Sequence, residues 1–546
     1  LKTQLTNKDF MKINRALIFS VFFLIPSIYL TAATFYVWKD NPNPQAPYDS
    51  WENAAQSIQD AIDVSSDGDL ILVTNGVYDV GGYAISNGLS NRVVINKPII
   101  VKSLNGPSET LIVGGTPYDI KTGSGAIRCV WMTNGAVLSG FTLTNGYTSI
   151  GGVGNDNVRG GAVYGTSTNA ILTNCVIIGN NGFEGGGVYS CSMFNSIIKG
   201  NSAVYGGGVH SSVLYNCVLT DNSAVWEGGG VHTSTLYNTV LTGNSAYTGG
   251  GANNSTLVNC TLTGNSANDT GGGVVSCNLT NCIVYYNSAQ NGANHSDSVF
   301  NFSCTTPLPV GGVGNISDEP QLASSFHISA TSPCIDKGDA SSVYGVDIDG
   351  EVWSDQPSIG ADQLIPGDAT GSLSMRITAS ATRVLNGSTI SFIANNDGKI
   401  TLSVWDFGDG SFATNQPFIT HKFTNNGTNI VRLTGYNDTY PDGVVAEVAI
   451  EVISQEARNH YVNVNSQNPV SPYSDWDTAA TTIQDAIDAA NDGDVIIVSD
   501  GVYNTGGLAV FGLMTNRVVI NKPLTIKSLN GPSKTIISGC PSALGT

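Results

Sequence analysis

Aromatic, imidazole and carboxylate residues recur at regular intervals in the middle of this chain. Phe183, Tyr205, Trp226 and Tyr247 each stand one or two positions before a glycine triplet, and Tyr189, His210 and His232 each stand two positions after one. If the turns face solvent, these side chains form a column along one side. Sugar rings stack on such faces, and imidazole can hydrogen-bond their hydroxyls. A second group, Asp336, Asp339, Asp347, Asp349 and Asp362, is concentrated further on. Oxygen-rich, turn-rich clusters suit Ca²⁺. That ion is the one cofactor expected here, and none is required.

Catalysis needs more. A hydrolase needs two carboxylates roughly 5–9.5 Å apart. A polysaccharide lyase needs a base, commonly Arg or Lys, often with acidic Ca²⁺ ligands. Between residues 160 and 290 the charged residues are Glu184, Lys199, Asp221, Glu227 and Asp269, with Arg159 at the edge. They are too scattered along the chain to predict a convergent acid–base site. His210 and His232 are two ligands, too few for zinc.

The elements that carry these residues follow from the repeat. Glycine triplets begin at Gly185, Gly206, Gly228, Gly249 and Gly271, at spacings of 21, 22, 21 and 22. Two asparagine series keep step with them: Asn174, Asn195, Asn216, Asn238, Asn259, Asn281, and Asn180, Asn201, Asn222, Asn244, Asn265, Asn287. Short apolar stretches lie between. This period fits an all-β fold: a right-handed parallel β-helix with three strands per coil, coils stacked about 4.8 Å apart. Equivalent residues then form ladders, and each asparagine amide can donate to the asparagine carbonyl of the next coil. The residue after each first-series asparagine (Cys175, Ser196, Cys217, Thr239, Cys260, Cys282) is expected to point inward as a stack of small side chains.

The pattern resembles the pectin-lyase-like β-helix superfamily in its bacterial surface-protein branch, and the repeats resemble those of chlamydial polymorphic outer-membrane proteins. Ser332-Pro333-Cys334-Ile335-Asp336-Lys337-Gly338, Asp347-Ile348-Asp349-Gly350 and Pro357-Ser358-Ile359-Gly360-Ala361-Asp362 resemble the choice-of-anchor Q segment that closes such helices. That resemblance implies a Cys304–Cys334 pairing. Val404-Trp405-Asp406-Phe407-Gly408-Asp409-Gly410, followed by His421-Lys422-Phe423, resembles the PKD domain, an immunoglobulin-like β-sandwich that serves as a spacer or binding module. Trp405 and Phe407 are its expected core, and Asp409-Gly410 its hairpin turn.

Residues 34–115 recur from 459 onward at a constant offset of 425, so that Ile58-Gln59-Asp60-Ala61-Ile62 reappears as Ile483-Gln484-Asp485-Ala486-Ile487. Ala54, Ala55, Ile58, Ala61 and Ile62 fall on one helical face, a helix suited to covering the open end of a strand stack. The expected organisation is 1–33 upstream residues and signal peptide, 34–365 β-helix with capping helix and closing segment, 366–455 PKD sandwich, and 459–546 the start of a second β-helix within a longer array. Lys12, Arg15, the apolar run from Ala16 to Leu30 and small residues at 31–33 predict bacterial-type export. No later segment is apolar enough to span a membrane. With 23 Lys+Arg against 42 Asp+Glu and a net charge of −19, nucleic-acid binding is excluded as a role. The reading is a secreted or cell-surface structural or adhesive protein with a polysaccharide or cell-surface glycan as partner. The alternative is a polysaccharide lyase or glycoside hydrolase acting on acidic glycans.

Overall fold

The computed structural model describes residues 32–85, 88–118, 124–149, 155–453, 457–511 and 514–539. All but the last two residues of the expected leader lie outside them. The chain divides into two compact units: residues up to 372 with 399–402 and 437–439, and the remainder.

The first unit is a parallel β-helix. Its strands collect into sheets of 11, 10 and 10 strands, plus a fourth of four strands over the middle coils. Apart from the antiparallel pair Tyr83–Ala84 and Ser90–Ile95, the strands pair in parallel with their equivalents one coil away. Leu214, for example, stands between Met193 and Leu236, and Val209 between Val188 and Val231. Stacking in register puts like on like inside. Leu172, Met193, Leu214, Leu236 and Leu257 line one wall, Ile177, Ile198, Leu219, Leu241 and Leu262 the second, and Val163, Val188, Val209 and Val231 the third, all fully buried. Each such side chain contributes about 1.5–3 kcal/mol of burial.

The two asparagine series do different jobs. The second builds the ladder. The Nδ2 groups of Asn180, Asn201, Asn222, Asn244 and Asn265 donate to the Oδ1 of the next asparagine at 2.9–3.0 Å. Each backbone N–H donates to the same oxygen. The second amide proton goes back to a strand carbonyl, as from Asn222 to Ile198. The first series instead takes left-handed backbone, with φ between 48° and 55°. Asparagine tolerates that region better than most residues. Among the described residues the first series makes one such rung, Asn238 Nδ2 to Asn216 Oδ1 at 3.4 Å, rather than a continuous ladder; the side chains after it do turn inward, and Cys175, Ser196, Cys217, Thr239, Cys260 and Cys282 are all buried. A parallel inward stack, Cys191, Ser212, Ser234, Ser255 and Cys277, follows a second left-handed corner at Ser190, Ser211, Thr233, Asn254 and Ser276.

The glycine triplets have a steric cause. The first glycine of each is left-handed, as at Gly206 with φ 65°. At the second, coils approach too closely for a side chain: a Cβ on Gly207 would lie 2.3 Å from the Ser223 carbonyl oxygen.

The capping helix is Ile58–Val64, shorter than the sequence pattern suggests. Ser57 accepts from Asp60 N and starts it. Ala55 lies before it, bridged to Val37. Gln59 makes the helix a substitute for a missing coil: its Oε1 accepts from Val94 N at 2.8 Å and its Nε2 donates to Val94 O at 3.2 Å. Lys97 Nζ closes the C-terminal end on the Ile62 carbonyl at 2.7 Å. In the second unit, Gln484 treats Val519 the same way, and Lys522 caps Ala490 at 2.8 Å.

The second unit also holds a β-sandwich of a three-stranded and a five-stranded sheet. Trp405, Phe407, Phe392 and Phe423 form its core, and the Trp405 indole donates to Gln416 O at 3.0 Å. Asp409 Oδ1 accepts from Ser411 N in the turn between Leu402–Asp406 and Phe412–Thr414. The nine described cysteines are buried thiols. Cys304 and Cys334 are hydrogen-bonded neighbours rather than the bridge the resemblance implied.

The ladder predicts a graded response to substitution. Asn222→Ala strips partners from the Asn201 N–H groups, Ile198 O and Asn244 Oδ1 inside a sealed core and is expected to cost about 3–5 kcal/mol. Asn195→Ala, at an exposed left-handed corner, is expected to cost about 1–2 kcal/mol. Urea denaturation of the two variants checks the order.

Candidate functional site

The alternation of 21 and 22 residues shapes the outer face. In the four-stranded sheet, Ser202–Tyr205 and Ser245–Thr248 have four residues, while Ser223–Glu227 and Ser266–Thr270 have five. The additional residue of each longer coil is absorbed here as a register shift. Such bulges re-aim side chains. Between Ser223 and Glu227 the shift leaves Val225 and Trp226 62% and 51% exposed. Tyr247, one coil on and 42% exposed, meets Trp226 edge to face with centroids 5.6 Å apart.

Across the glycine turn runs a second column: Trp131, Tyr164, Tyr189, His210, His232 and Asn253, paired coil to coil. Tyr164 stacks on Tyr189 at 5.8 Å and 11°, Tyr189 on His210 at 5.2 Å and 20°, and His210 meets His232 at 4.8 Å. Rings stacked in this way cover one another's faces and offer edges outward. Phe183 and Tyr205 are half-buried, their rings 6.0 Å apart, and Tyr205 reaches His232 at 6.0 Å, joining the two columns. The seven side chains expected from the sequence therefore share one region, but only Trp226 and Tyr247 present a stacking surface. Trp131 and Tyr164 fall outside the glycine-triplet period, so their spacing does not announce them.

The structure also corrects the expectation of scattered charges. Arg128 is fully buried and spends its guanidinium on the carbonyls of Asp156, Arg159 and Gly160 and on Asn91 Oδ1. It fixes the segment that carries Arg159. Arg159 Nε donates to Glu184 Oε2 at 2.8 Å, its NH1 approaches Asp156 at 3.3 Å, and its guanidinium lies 4.7 Å over the Tyr189 ring. One column over, His232 Nε2 is 3.1 Å from Glu227 Oε2 and His232 Nδ1 is 3.0 Å from His210 Nε2. His210 Nδ1 lies 2.7 Å from Ser211 Oγ. These partners assign the tautomers. Glu227 only accepts, so His232 carries its proton on Nε2; its Nδ1 accepts from His210 Nε2–H, and His210 Nδ1 accepts from Ser211. Burial pushes His210 down to about 3, helped by His232 and Arg159. His232 is lowered too, burial outweighing Glu227. Both rings are neutral, with their nitrogens already engaged.

The aspartates of the closing segment divide. Asp339 N-caps the turn at Ala340–Ser342, and Asp336 adopts left-handed backbone; neither joins a ligand cluster among the described residues. Asp347, Asp349 and Asp362 do come together, with His327 and Glu351, which the sequence reading missed. Asp347 accepts from the backbone N–H groups of Asp349, Glu351 and Gln363. His327 Nε2 meets Asp349 at 3.0 Å, and Glu351 pairs with Lys399. Burial pushes Asp347 up to about 7, and Asp362 up to about 6. Asp349 is already paired with His327 and Glu351 with Lys399, so a metal ion would compete with both.

The fold and the face define a parallel β-helix with a polar, aromatic outer surface. Residues 374–440 match the PKD domain family. No curated protein matches the chain. Among solved structures it is similar to a carbohydrate-binding module of the β-sandwich superfamily, at 29% identity over 18% of this chain, with a TM-score of 0.14. The match spans only 40% of that protein's chain. It is also similar to a pectate lyase (15% identity, 61% of this chain and 96% of that chain, TM-score 0.37) and to rice weevil pectin methyl esterase (12% identity, 57% and 97%, TM-score 0.26). Among the described residues, no helix is long and apolar enough to cross a membrane.

The closing cluster sets a pH dependence. The folded-state pKa of Asp362 lies above its unfolded value of 3.8, so stability is lost as pH rises through about 6. Asp362→Asn keeps an acceptor for Ile328 N and removes the charge. It is expected to raise stability at pH 8 by up to about 3 kcal/mol and to change little at pH 3, as thermal unfolding at the two pH values would report.

Proposed function

We propose that this chain is an exported, cell-surface glycan-binding protein, structural or adhesive rather than catalytic, with the PKD sandwich as spacer between β-helical modules. The observation that carries the reading is the exposed Trp226–Tyr247 pair, raised on a bulged strand beside a column of imidazole and hydroxyl edges. An aromatic platform next to hydrogen-bonding groups suits a sugar ring. Catalysis is the weaker reading because the ionisable groups are spent on one another. A general base needs a lone pair aimed at substrate, and Glu184 faces Arg159 while Glu227 faces His232. This reading calls on no cofactor; the closing carboxylates Asp349 and Glu351 already face His327 and Lys399.

One observation favours the enzymatic alternative, a polysaccharide lyase or glycoside hydrolase: Arg159, two glutamates and two histidines share one face. Release of unsaturated or reducing ends from pectate, alginate or neutral glycans would establish it. For the binding reading, glycan-array signal is expected to weaken about tenfold, or about 1.4 kcal/mol, in Trp226→Ala and Tyr247→Ala. Signal unchanged in both variants would remove the platform from the argument.

A further inference from the structure

The charges around the platform bear on which glycans it accepts. Asp156, Glu184, Glu227 and Asp269 all lie on or beside the two columns. Against them stands Arg159, its guanidinium held between Glu184 and Asp156 and laid on Tyr189. Arg128 is sealed beneath, its donors consumed by backbone carbonyls and Asn91. The histidines carry no charge, since their ring nitrogens are engaged in the neutral tautomers. Lys199 lies on a different sheet, 3.6 Å from Asp221. Glu227, directly after Trp226, is the most accessible of the two glutamates, its side chain 44% exposed against 11% for Glu184.

We infer that this face takes neutral, hydroxyl-rich polysaccharide and turns away acidic ones; the inference rests on the glycan-binding reading above. A carboxylate surface accepts hydrogen bonds and donates none, so it matches sugar hydroxyls, which donate. A uronate or sulfate laid on Trp226 would bring a second negative charge beside Glu227, with no unpaired cation on the two columns among the described residues to meet it, and like charges at that range repel. Asn253, Thr248 and Thr270, which continue the two columns beyond His232 and Glu227, are uncharged polar groups of the same kind. The aromatic platform supplies contact area, and the acids supply selection.

Affinity electrophoresis of the whole chain through gels containing xylan, galactomannan, mixed-linkage β-glucan, polygalacturonate or alginate tests this. At least one neutral polymer is expected to retard the protein, with little dependence on added salt, and the two acidic polymers are expected not to. Glu227→Gln is expected to weaken neutral-polymer binding about tenfold by removing a charge-assisted hydrogen bond. Asp221→Asn, at the corner after Val218–Thr220, should leave it unchanged and controls for net charge. Retardation by polygalacturonate or alginate that Trp226→Ala abolishes would overturn the selection for neutral glycans while the glycan-binding reading stands. Retardation by no polymer at all would overturn both.

Discussion

The constraint on which the first unit depends is register. In the repeating coils every strand pairs with its own equivalent one coil away, so an error of one residue in any lap would displace each inward side chain below it. The asparagine ladder enforces this from inside. Each Oδ1 accepts two bonds from the preceding coil and each Nδ2 donates to the following coil and to a strand behind. A residue that bonds its counterpart both above and below fits only one alignment. Where a coil carries an additional residue, the surplus is taken up in the four-stranded outer sheet, a few residues past each ladder asparagine. The aromatic platform is thus a product of the register rule: Trp226 is turned outward because the interior admits no extra residue.

Much of this was legible in the sequence. The glycine and asparagine intervals gave the coil length and the inward stacks at Cys175 and its equivalents, because a stacked coil converts sequence period directly into spatial neighbours; the fourth strand of the middle coils was not expected. The same logic placed Trp226 and Tyr247 side by side. What stayed hidden lies where the period fails. Arg159 and Arg128 belong to longer laps, in which Val130 pairs with Val163 and Val163 with Val188, so nothing in their spacing links them to Glu184 or Tyr164. His327 and Glu351 come from the non-repeating closing segment and meet Asp362 only through tertiary packing. The two asparagine series look alike as letters, and only backbone conformation separates a ladder from a corner.

The duplicated N-terminal segment shows how a repeat of this kind begins. A β-helix exposes a row of unpaired strand groups at its first coil, and exposed strand edges invite unwanted pairing. Gln59 and Gln484 answer with a side-chain amide that mimics one strand residue, while Lys97 and Lys522 tie the carbonyl end of the covering helix to the coil below. The copies differ beneath this device. Phe35 is buried where His460 stands in the second, and His460 contacts Asp494 at 2.9 Å and the Pro472 carbonyl at 2.6 Å. The same lid thus closes over an apolar contact in one module and a polar one in the other.

The bulged strands bear on how such a surface could lengthen. Because long and short laps alternate, Gly206 and Gly249 stand 43 residues apart, as do Gly228 and Gly271. A duplicated segment of that size would return the outer sheet to phase and keep every corner in place, since each lap touches only its immediate neighbours. A single inserted lap would instead set two laps of equal length side by side. The unit that preserves the alternation is a pair of turns, and each such pair would lengthen the bulged outer sheet by about 10 Å.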